Sequence, residues 1–420
     1  MSGAGTVESA DVIIVGGGAA GLATSIFCKR HADNRRVMCL DGARRVGAKI
    51  LVSGGSRCNV TNRVVSERDF WGGSSRTIRS VLRAFPVERT IGFFREIGVD
   101  LHEEENGKLF PDSNSSRTVV EGLLREMARL GVDLRCGERV VAVRRDSDAF
   151  VVTTGSGGEF SARAVVLATG GRSLPKSGSD GGGYALAAAL GHGYVPTTPA
   201  LAPLLLDGER HSELSGVAMP ARLTVRVEGE SDVKLDGALL WTHFGASGPV
   251  VLDASRHWHR ARLEKRAVDV LLNLCPGETF ESIEASLIEE ARARPRALPA
   301  TVLAKRLPAA VAESCVRAAG LERVTMAHLT KDERRRLIQV LLTTPLSVVD
   351  SRGYAFAEAT AGGVPLDEID AASMASRRCP GLYLVGEILD VDGRLGGFNF
   401  QWAWSSAWVA GRAIASACQS

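Results

Sequence analysis

The chain has 420 residues, of which 45% are hydrophobic and 24% charged, a composition typical of a folded globular protein with two or three domains. Its net charge of +3 at pH 7 neither requires nor excludes an anionic partner. Eight cysteines without a C-x-x-C pair exclude the common zinc and thioredoxin-like motifs and give no secreted disulfide framework. No apolar run has the length of a membrane span and the N-terminus has no basic leader, so we expect a cytoplasmic protein without a membrane anchor.

The first predicted elements are a strand, a tight turn and a helix in "DVIIVGGGAAGLATSIFCKR", with the helix beginning at about Ala19. Gly16, Gly18 and Gly21 fit G-x-G-x-x-G, in which glycines allow the turn, the approach of a pyrophosphate and close helix–strand packing. A second apolar strand, "VMCL", ends at Asp41, at the offset where a carboxylate accepts hydrogen bonds from ribose hydroxyls. The pattern predicts a Rossmann-like dinucleotide site.

The next stretch, "LVSGGSRCNVTN" at 51–62, combines a glycine pair, an arginine and a cysteine in a polar loop. Two alternating segments, "ERVVAVRRD" and "AFVVTT", predict a short antiparallel meander that leads into the buried strand of "ARAVVLATGG" at 162–171. A loop and a short helix follow in "GSDGGGYALAAALGH". We therefore assign residues 1–190 to the first part of a nucleotide-binding domain.

An insertion then separates the two parts of this domain. The stretch at 191–203 is rich in proline and glycine and predicts a linker. Alternation as in "ARLTVRVEG" predicts a β-barrel-like unit over 191–275, and leucines and alanines spaced among charges predict a mainly helical part over 276–344. Residues 345–420 complete the nucleotide domain. Their segment at 381–415 predicts a strand, an acidic loop, a glycine pair and an apolar helix, whose N-terminal amides could face the electron-accepting end of a flavin.

These segments in this order resemble FAD enzymes with a glutathione-reductase-like nucleotide domain. More narrowly, "KILVSGGSRCNVTN", "LLWTHFGASGP", "TAGGV" and "GEILDVDGRLGGFNFQWAWSSAWVAG" resemble the bacterial BaiN/RdsA-type FAD-dependent oxidoreductase family, and the resemblance covers nearly the whole chain. It departs at Ser56, where the family usually has a third glycine and a small residue should keep the turn. The predicted fold class is therefore α/β: a Rossmann-like FAD-binding domain with an inserted β-barrel-like unit and a helical subdomain.

The resemblance also implies which residues bind FAD, and it implies no metal ligand. The implied FAD-binding residues are Gly16, Gly18, Ala19, Ala20, Gly21, Asp41, Lys49, Ser53, Gly54, Gly55, Arg57, Cys58, Asn59, Val141, Ala168, Thr169, Gly170, Gly386, Glu387, Asp390, Gly397, Phe398, Asn399 and Gln401.

Two residues are candidates for catalysis, and each also has a structural interpretation. Cys58 could donate a proton to a reduced substrate carbon or trap an electrophile, or it could be a small buried side chain in a loop that wraps the flavin. His243 in "LLWTHFGASGP" could bind or protonate a substrate, or it could be a satisfied structural histidine. The flanking glycines and Pro249 suggest that His243 lies in a loop that could face the flavin.

Two further groups of residues have competing interpretations. Trp402, Trp404 and Trp408 could form an aromatic platform for a flat substrate, but packing of the closing helix against the sheet is favoured. His257 and His259 in "RHWHRARLEKR" have no nearby carboxylate or cysteine ligands, so this stretch predicts a solvated basic face or a phosphate-contact patch. Together with "RARPRALPATVLAKR", it makes the middle of the insertion locally basic.

The resemblance implies an FAD-dependent oxidoreductase. It identifies neither the substrate nor the oligomeric state. The leading hypothesis is NAD(P)H-driven reduction of a carbon–carbon double bond conjugated with a carbonyl, in uridine of ribosomal RNA or in a small enone. The basic stretches slightly favour RNA. The chain has no second G-x-G-x-x-G, so NAD(P)H would visit the flavin transiently, or a separate reductase would replace it. The alternatives are an aminoacetone-type amine oxidase that produces hydrogen peroxide, and FAD as a structural or sensing group.

Overall fold

The computed structural model describes residues 7–417, which form two units. Unit 1 contains the chain up to Pro199 and again from Glu358, and unit 2 is the insertion Ala200–Ala357. Within residues 7–417, none of the helices is both long and apolar enough to cross a membrane.

Before the insertion, unit 1 alternates between strands and helices. Its strands are β1 (Glu8–Val15), β2 (Val37–Asp41), β3 (Thr61–Asn62), β4 (Phe70–Gly72), β5 (Leu101–Glu103), β6 (Lys108–Pro111), β7 (Asp133–Cys136), β8 (Val140–Asp146), β9 (Ala149–Thr154), β10 (Glu159–Leu167) and β11 (Val195–Ala200). Its helices are α1 (Ala19–His31), α2 (Ala48–Ser56), α3 (Ser75–Ala84), α4 (Val87–Glu96), α5 (Ser116–Arg129) and α6 (Gly182–Ala189).

Unit 2 begins with strands and continues with helices. Its strands are β12 (Leu204–Leu206), β13 (Ala218–Val227), β14 (Val233–Thr242), β15 (Gly245–Ser247), β16 (Val268–Asn273), β17 (Thr344–Pro345) and β18 (Val348–Ser351). Its helices are α7 (Arg210–Glu213), α8 (Pro249–Leu263), α9 (Phe280–Ala293), α10 (Pro299–Leu303), α11 (Ala309–Ala318) and α12 (Lys331–Leu342). After the insertion, unit 1 continues with β19 (Ala359–Gly363), β20 (Leu382–Leu384), β21 (Val391–Gly393) and α13 (Phe398–Ala417).

A seven-stranded sheet forms the centre of unit 1, in the order β7-β2-β1-β10-β9-β8, with β20 also paired to β10. The pairs β1–β2, β1–β10, β2–β7 and β10–β20 are parallel, whereas β8, β9 and β10 form the predicted antiparallel meander. The parallel strands are apolar in consecutive positions because both faces are buried. Val15 pairs with Leu40 and Leu167, so the carboxyl ends of β1, β2 and β10 lie at one edge of the sheet.

The closing helix α13 packs against α1, which follows β1. The two helices are in close contact, since a Cβ on Gly411 would lie 2.6 Å from Phe27 Cβ. Trp402 and Trp404 are 1% and 0% exposed, and Trp408 is partly buried. Their burial supports packing rather than an aromatic platform, but α13 packs mainly on helices α1 and α3 and not on the central sheet as predicted.

The joins between the units lie later in the chain than the predicted boundaries at 190/191 and 344/345. The predicted linker at 191–203 contains β11, which pairs with β19 in a two-stranded sheet. Residues 348–351 form β18, which pairs with β12 in unit 2. Both strands pair with partners distant in sequence, and local composition does not reveal such pairing.

Unit 2 has a seven-stranded antiparallel sheet in the order β17-β16-β13-β14-β15-β12-β18. Side chains along β13 alternate between buried and more exposed positions, in agreement with the alternation predicted for this segment. Among the strands that the structure describes, β17 and β18 form the two edges of this sheet. Helices α9 to α12 occupy the segment predicted to be mainly helical.

Helix α8 packs against β13 and β14 and buries two histidines that were expected on a solvated basic face. His257 and His259 are 8% and 9% exposed, and burial lowers their pKa to about 3 and about 4. His259 Nε2 lies 2.7 Å from Ser351 Oγ. The predicted solvated face is therefore wrong for both residues, because His257 and His259 follow the buried Ala254 and Ser255 by about one helical turn each.

Candidate functional site

The turn after β1 is shaped by close packing of backbone atoms around its glycines. Gly16 has a φ of +109°, and a Cβ there would lie 2.5 Å from Ala168 O. A Cβ on Gly21 would lie 1.8 Å from Gly16 O, so only glycine lets α1 begin this close to the turn. Gly18 precedes Ala19 as the N-cap of α1, and a Cβ on Gly18 would meet none of the described atoms within 4 Å. The first amides of α1 therefore lie at an open helix end, an arrangement that binds phosphate.

Asp41, at the end of β2, holds this turn in place. Its Oδ2 accepts a hydrogen bond from Gly17 N at 2.5 Å, and its Oδ1 accepts one from Ala43 N at 2.7 Å. Each carboxylate oxygen retains a further lone pair for a ligand hydroxyl. The carboxylate thus lies beside the turn, where the sequence predicted a ribose contact.

Residues 47–59, which we call the loop at 47–59, contain the short helix α2 and then pass through several left-handed backbone conformations. Helix α2 is broken at Ser53, and the following Gly54 and Gly55 have φ of +54° and +67°. Ser56, where the resembled family usually has glycine, has a φ of +67°. The backbone at this position therefore favours glycine, and serine adopts it at a cost in conformational strain.

Cys58 lies in the interior of this loop. Its side chain is 0% exposed and its backbone N donates to Ser53 O at 3.1 Å. Burial raises the pKa of the Cys58 thiol to about 12. Because the thiolate is the nucleophilic form, a thiol that keeps its proton at neutral pH is poorly suited to trapping an electrophile.

A cavity of about 450 Å³ opens beside the same loop. Its lining residues are Arg57, Glu104, Glu105, Asn106, Lys108 and Phe110. The Arg57 guanidinium lies 4.1 Å from the centre of the Phe110 ring and forms an ion pair with Glu104 at 2.5 Å. This mixture of cations, an amide and carboxylates suits a ligand that carries hydrogen-bonding groups.

Lys49 of α2 contacts Glu387, in the segment between β20 and β21, as part of a polar cluster. Its Nζ lies 2.5 Å from Glu387 Oε2 and donates to Ser173 Oγ at 2.6 Å. Ser173 Oγ donates to Glu387 Oε1 at 2.8 Å, and Ser173 N donates to Thr360 Oγ1 at 3.0 Å. The structure therefore brings the two predicted residues Lys49 and Glu387 together. Sequence reasoning missed Ser173 and Thr360, although Thr360 begins the "TAGGV" motif that was noted for the resemblance.

The segment that leads into α13 is held mainly by its own backbone and side chains. Asn399 Nδ2 donates to Gly393 O at 2.9 Å, and Asn399 Oδ1 accepts from Gly393 N at 2.8 Å. Asp390 is held through its backbone N and O, and Phe398 is 1% exposed. Gln401 is also 1% exposed, and its amide bonds to four residues: Thr61, Thr90, Phe85 and Ser405. These bonds use the full hydrogen-bonding capacity of the Gln401 side-chain amide within the protein.

Three buried polar atoms in or beside the predicted cofactor residues have no hydrogen-bond partner in the described part of the chain. They are Asn59 Oδ1, Thr169 Oγ1 and Ser179 Oγ. Thr169 follows β10, and a Cβ on Gly170 would lie 2.7 Å from Ser179 Oγ, so two of these atoms lie near the same strand end. These three atoms therefore have hydrogen-bonding capacity that a polar ligand could use.

The remaining predicted cofactor residues also lie in unit 1. A Cβ on Gly386 would lie 2.8 Å from Ala20 Cβ, so the closing segment meets the beginning of α1. A Cβ on Gly397 would lie 2.5 Å from the carbonyl carbon of Thr61, so this glycine packs against β3, directly after the loop at 47–59. Val141 is 56% exposed and lies at an irregularity in the pairing of β8 with β9.

His243, by contrast, lies in unit 2, in the turn between β14 and β15, and is exposed. Its ring stands edge-on to Phe244, with 5.1 Å between the ring centroids. The guanidinium of Arg352 lies 4.7 Å from the centre of the Phe244 ring. Across residues 7–417, no three His, Cys, Asp or Glu side chains are grouped as a metal site requires.

The parallel sheet, the glycine turn and the acid after β2 define a protein of the Rossmann-like dinucleotide-binding class. The family model described as HI0933-like protein Rossmann domain matches residues 10–413. The chain is 34% identical over 419 residues to the ribosomal RNA dihydrouridine synthase of Escherichia coli (strain K12), with 99% of this chain and 100% of the relative covered. It is 31% identical over 407 residues to the 3-dehydro-bile acid delta(4,6)-reductase of Clostridium scindens, with 96% and 98% covered.

A solved structure agrees with this assignment at the level of fold. The 3-ketosteroid delta1-dehydrogenase of Sterolibacterium denitrificans is 13% identical with a TM-score of 0.52, over 98% of this chain and 100% of the other. The chain therefore belongs to the HI0933-like family, a family of FAD-dependent oxidoreductases with a Rossmann-like domain. This confirms the family resemblance, the α/β fold class and the enzyme class that were predicted from the sequence.

The residues of unit 1 fit the cofactor that this family implies. The open end of α1 at Gly18 leaves space for a pyrophosphate, and Asp41 lies beside it. The unpartnered atoms of Asn59, Thr169 and Ser179 match a ligand with many polar groups.

Proposed function

We propose that the protein reduces a carbon–carbon double bond conjugated with a carbonyl, that FAD is its cofactor, and that uridine in ribosomal RNA is its substrate. The observation that carries this proposal is the 34% identity, over 99% of the chain, to a ribosomal RNA dihydrouridine synthase. The bile-acid reductase supports the same chemistry, because uridine and a dehydro-bile acid both present a double bond conjugated with a carbonyl. We further propose NAD(P)H as the reductant.

The residues of unit 1 have distinct roles in this proposal. The first amides of α1 would bind the pyrophosphate, and Asp41 would accept hydrogen bonds from ribose hydroxyls. The loop at 47–59 and the pair Lys49–Glu387 would contact the remainder of the cofactor. When bound, FAD supplies the hydride chemistry that no side chain provides.

The cavity beside the loop is our candidate for the site of the uracil ring. Arg57, Asn106 and Lys108 contribute hydrogen-bond donors to its lining. Donors directed at a carbonyl oxygen stabilise the negative charge that develops there when the conjugated double bond is reduced. These three residues would therefore orient the substrate and lower the barrier to its reduction.

A proton must also reach the carbon next to the carbonyl. Cys58 and His243 are the side-chain candidates, and solvent water is the third source. Cys58 keeps its proton at neutral pH but is fully buried, whereas His243 is exposed. Substitution of the true donor should slow substrate-driven reoxidation about 100-fold or more, and Cys58→Ala and His243→Gln test the two residues separately.

The proposal is tested anaerobically with the purified yellow protein. The flavin is reduced with NADPH, its absorbance is followed, and ribosomal RNA lacking dihydrouridine is added; a parallel sample receives a small enone. Reoxidation by RNA, with dihydrouridine appearing in the RNA, is the expected result.

Three other outcomes contradict specific parts of the proposal. Reoxidation by the enone alone would assign a small-molecule substrate instead of RNA. No reduction by NADPH or NADH would require a different reductant. Reoxidation only by oxygen, with hydrogen peroxide formed from aminoacetone, would replace the reductase by an amine oxidase.

A further inference from the structure

Several exposed arginines lie on helices α3, α4 and α13 of unit 1. We call this set the arginine face and define it by Arg76, Arg83, Arg89 and Arg412, all of which are exposed. Between residues 74 and 95 the sequence has five arginines and a single acid, Glu88. Arg79 and Arg95 are paired with Glu67 and Asp100 outside this stretch, so the excess of positive charge comes from the other three arginines.

The arginines of this face differ from most others in the molecule because they have no ion pair among the described residues. Arg79, one turn from Arg76 on α3, shows the usual situation, since it is paired with Glu67 at 2.6 Å. Arg76 and Arg83 are seven residues apart and so lie on the same side of the helix. An unpaired guanidinium keeps all its donors available for an anion.

Part of the face is held rigidly around an indole ring. The guanidinium groups of Arg89 and Arg412 lie 5.2 Å and 4.8 Å from the centre of the Trp408 ring. Phe85, directly after α3, stacks on the same ring with 5.8 Å between centroids. This packing joins the end of α3 to α4 and α13 and holds the Arg89 and Arg412 guanidinium groups beside one indole ring.

The pKa of the neighbouring His31 is affected by the positive charge of this region. The His31 ring lies 6.2 Å from the Trp408 ring. Burial lowers the pKa of His31, and the positive charges of Arg412 and Arg30 lower it further. An additional cation is therefore disfavoured here, whereas an anion would be stabilised.

We propose that the arginine face binds the phosphate backbone of ribosomal RNA, outside the site at which the uracil ring is reduced. This inference rests on the proposed RNA substrate. Guanidinium groups bind phosphate through paired hydrogen bonds, and such contacts position a nucleic acid without selecting its sequence. A single uridine in a large RNA requires contacts of this kind, because the reacting ring contributes only a small part of the binding surface.

An anionic membrane is the other large polyanion to which such a face could bind. Membrane-surface helices insert an apolar side into the lipid. The large apolar residues of α3, which are Ile78, Val81 and Leu82, are buried inside unit 1 and are not available for insertion. The exposed side of α3 is polar and charged, which favours RNA.

The test compares two double variants with the same change in net charge. Arg76→Gln/Arg83→Gln neutralises two unpaired arginines of the face. The control, Arg222→Gln/Arg226→Gln, neutralises a half-buried and an exposed arginine of β13 that are paired with Asp236 and Asp232. Binding of ribosomal RNA lacking dihydrouridine is measured between 50 and 200 mM salt, and flavin content and melting temperature verify that each variant is folded.

We expect the wild type and the control to show the same dependence of the logarithm of the binding constant on the logarithm of salt concentration. In Arg76→Gln/Arg83→Gln the slope should fall by about 1.5, with affinity at low salt reduced about tenfold or more, because two phosphate contacts are lost. Equal slopes in all three proteins, together with formation of dihydrouridine, would contradict RNA binding by the arginine face but would still support the proposed function. Absence of RNA binding by the wild type, with binding to anionic vesicles instead, would overturn both.

Discussion

The turn at Gly16–Gly21 and the loop at 47–59 are both rich in glycine, but glycine has a different physical purpose in each. At Gly16 and Gly21 of the turn, neighbouring backbone excludes a side chain, since an added Cβ would lie 2.5 Å from Ala168 O and 1.8 Å from Gly16 O, respectively. In the loop, a Cβ on Gly55 would meet none of the described atoms within 4 Å, and the φ of +67° is what favours glycine.

This difference determines which substitutions each region tolerates. A collision with backbone is not relieved by choosing a small side chain, because even the Cβ of alanine does not fit. A left-handed conformation costs about 1–2 kcal/mol for a residue other than glycine, so the fold can accept it at a few positions. Ser56 and Cys58 are two such positions, with φ of +67° and +62°.

Gly21→Ala should have the largest effect of the changes that test this comparison. The added methyl group forces α1 away from the turn, and we expect unfolding free energy to fall by more than about 4 kcal/mol, or no folded protein. Denaturant unfolding of the apoprotein measures this. Gly92→Ala in α4 is the matched control, because its Cβ would meet none of the described atoms within 4 Å and alanine should stabilise the helix by about 0.5–1 kcal/mol. A Gly21→Ala protein as stable as wild type would contradict the steric interpretation.

The Cys58 thiol provides the second test, because the loop buries it completely. With a pKa of about 12, its thiolate fraction at pH 8 should be lower by a factor of ~1000 than that of a cysteine with an ordinary pKa. Iodoacetamide followed by mass spectrometry should therefore modify the exposed Cys136 and leave Cys58 unmodified at pH 8. Modification of Cys58 should increase as the pH rises toward 12. Rapid modification at pH 8 would mean that the loop exposes the thiol and would strengthen its case as a reactive group.

Gly18→Ala distinguishes an effect on FAD affinity from an effect on the stability of the fold. Gly18 has a φ of −82° and free space around its Cβ position, so alanine should change the stability of the apoprotein by less than about 1 kcal/mol. The same methyl group would enter the space proposed for the pyrophosphate, and FAD affinity should fall about tenfold or more. Titration of the apoprotein with FAD measures the change. Unchanged affinity would mean that the pyrophosphate does not approach this glycine.

The sequence predicted those parts of the fold and site that depend on near neighbours. The strand, turn and helix around Gly16 are such a case, because motif and flanking elements lie within twenty-five residues. The sequence did not predict that the Gln401 side chain forms buried hydrogen bonds within the protein, because one partner, Thr61, is 340 positions away. The burial of His257 likewise depends on a sheet formed by separate segments of unit 2. The unpaired arginines of α3 were missed for the same reason, because ion pairing is set by tertiary contacts.

Of these substitutions, Ser56→Gly should change the unfolding free energy least, and it should increase this free energy. Removal of about 1 kcal/mol of left-handed strain is partly offset by the greater freedom of glycine in the unfolded chain, so we expect stabilisation by about 0.5 kcal/mol in denaturant unfolding. Gly55→Ala in the same loop is the reverse control and should destabilise by about 1 kcal/mol without a collision. If Ser56→Gly were instead less stable than wild type, the serine side chain would contribute contacts that outweigh its strain. The difference from the family at this position would then be a local adaptation rather than a tolerated cost.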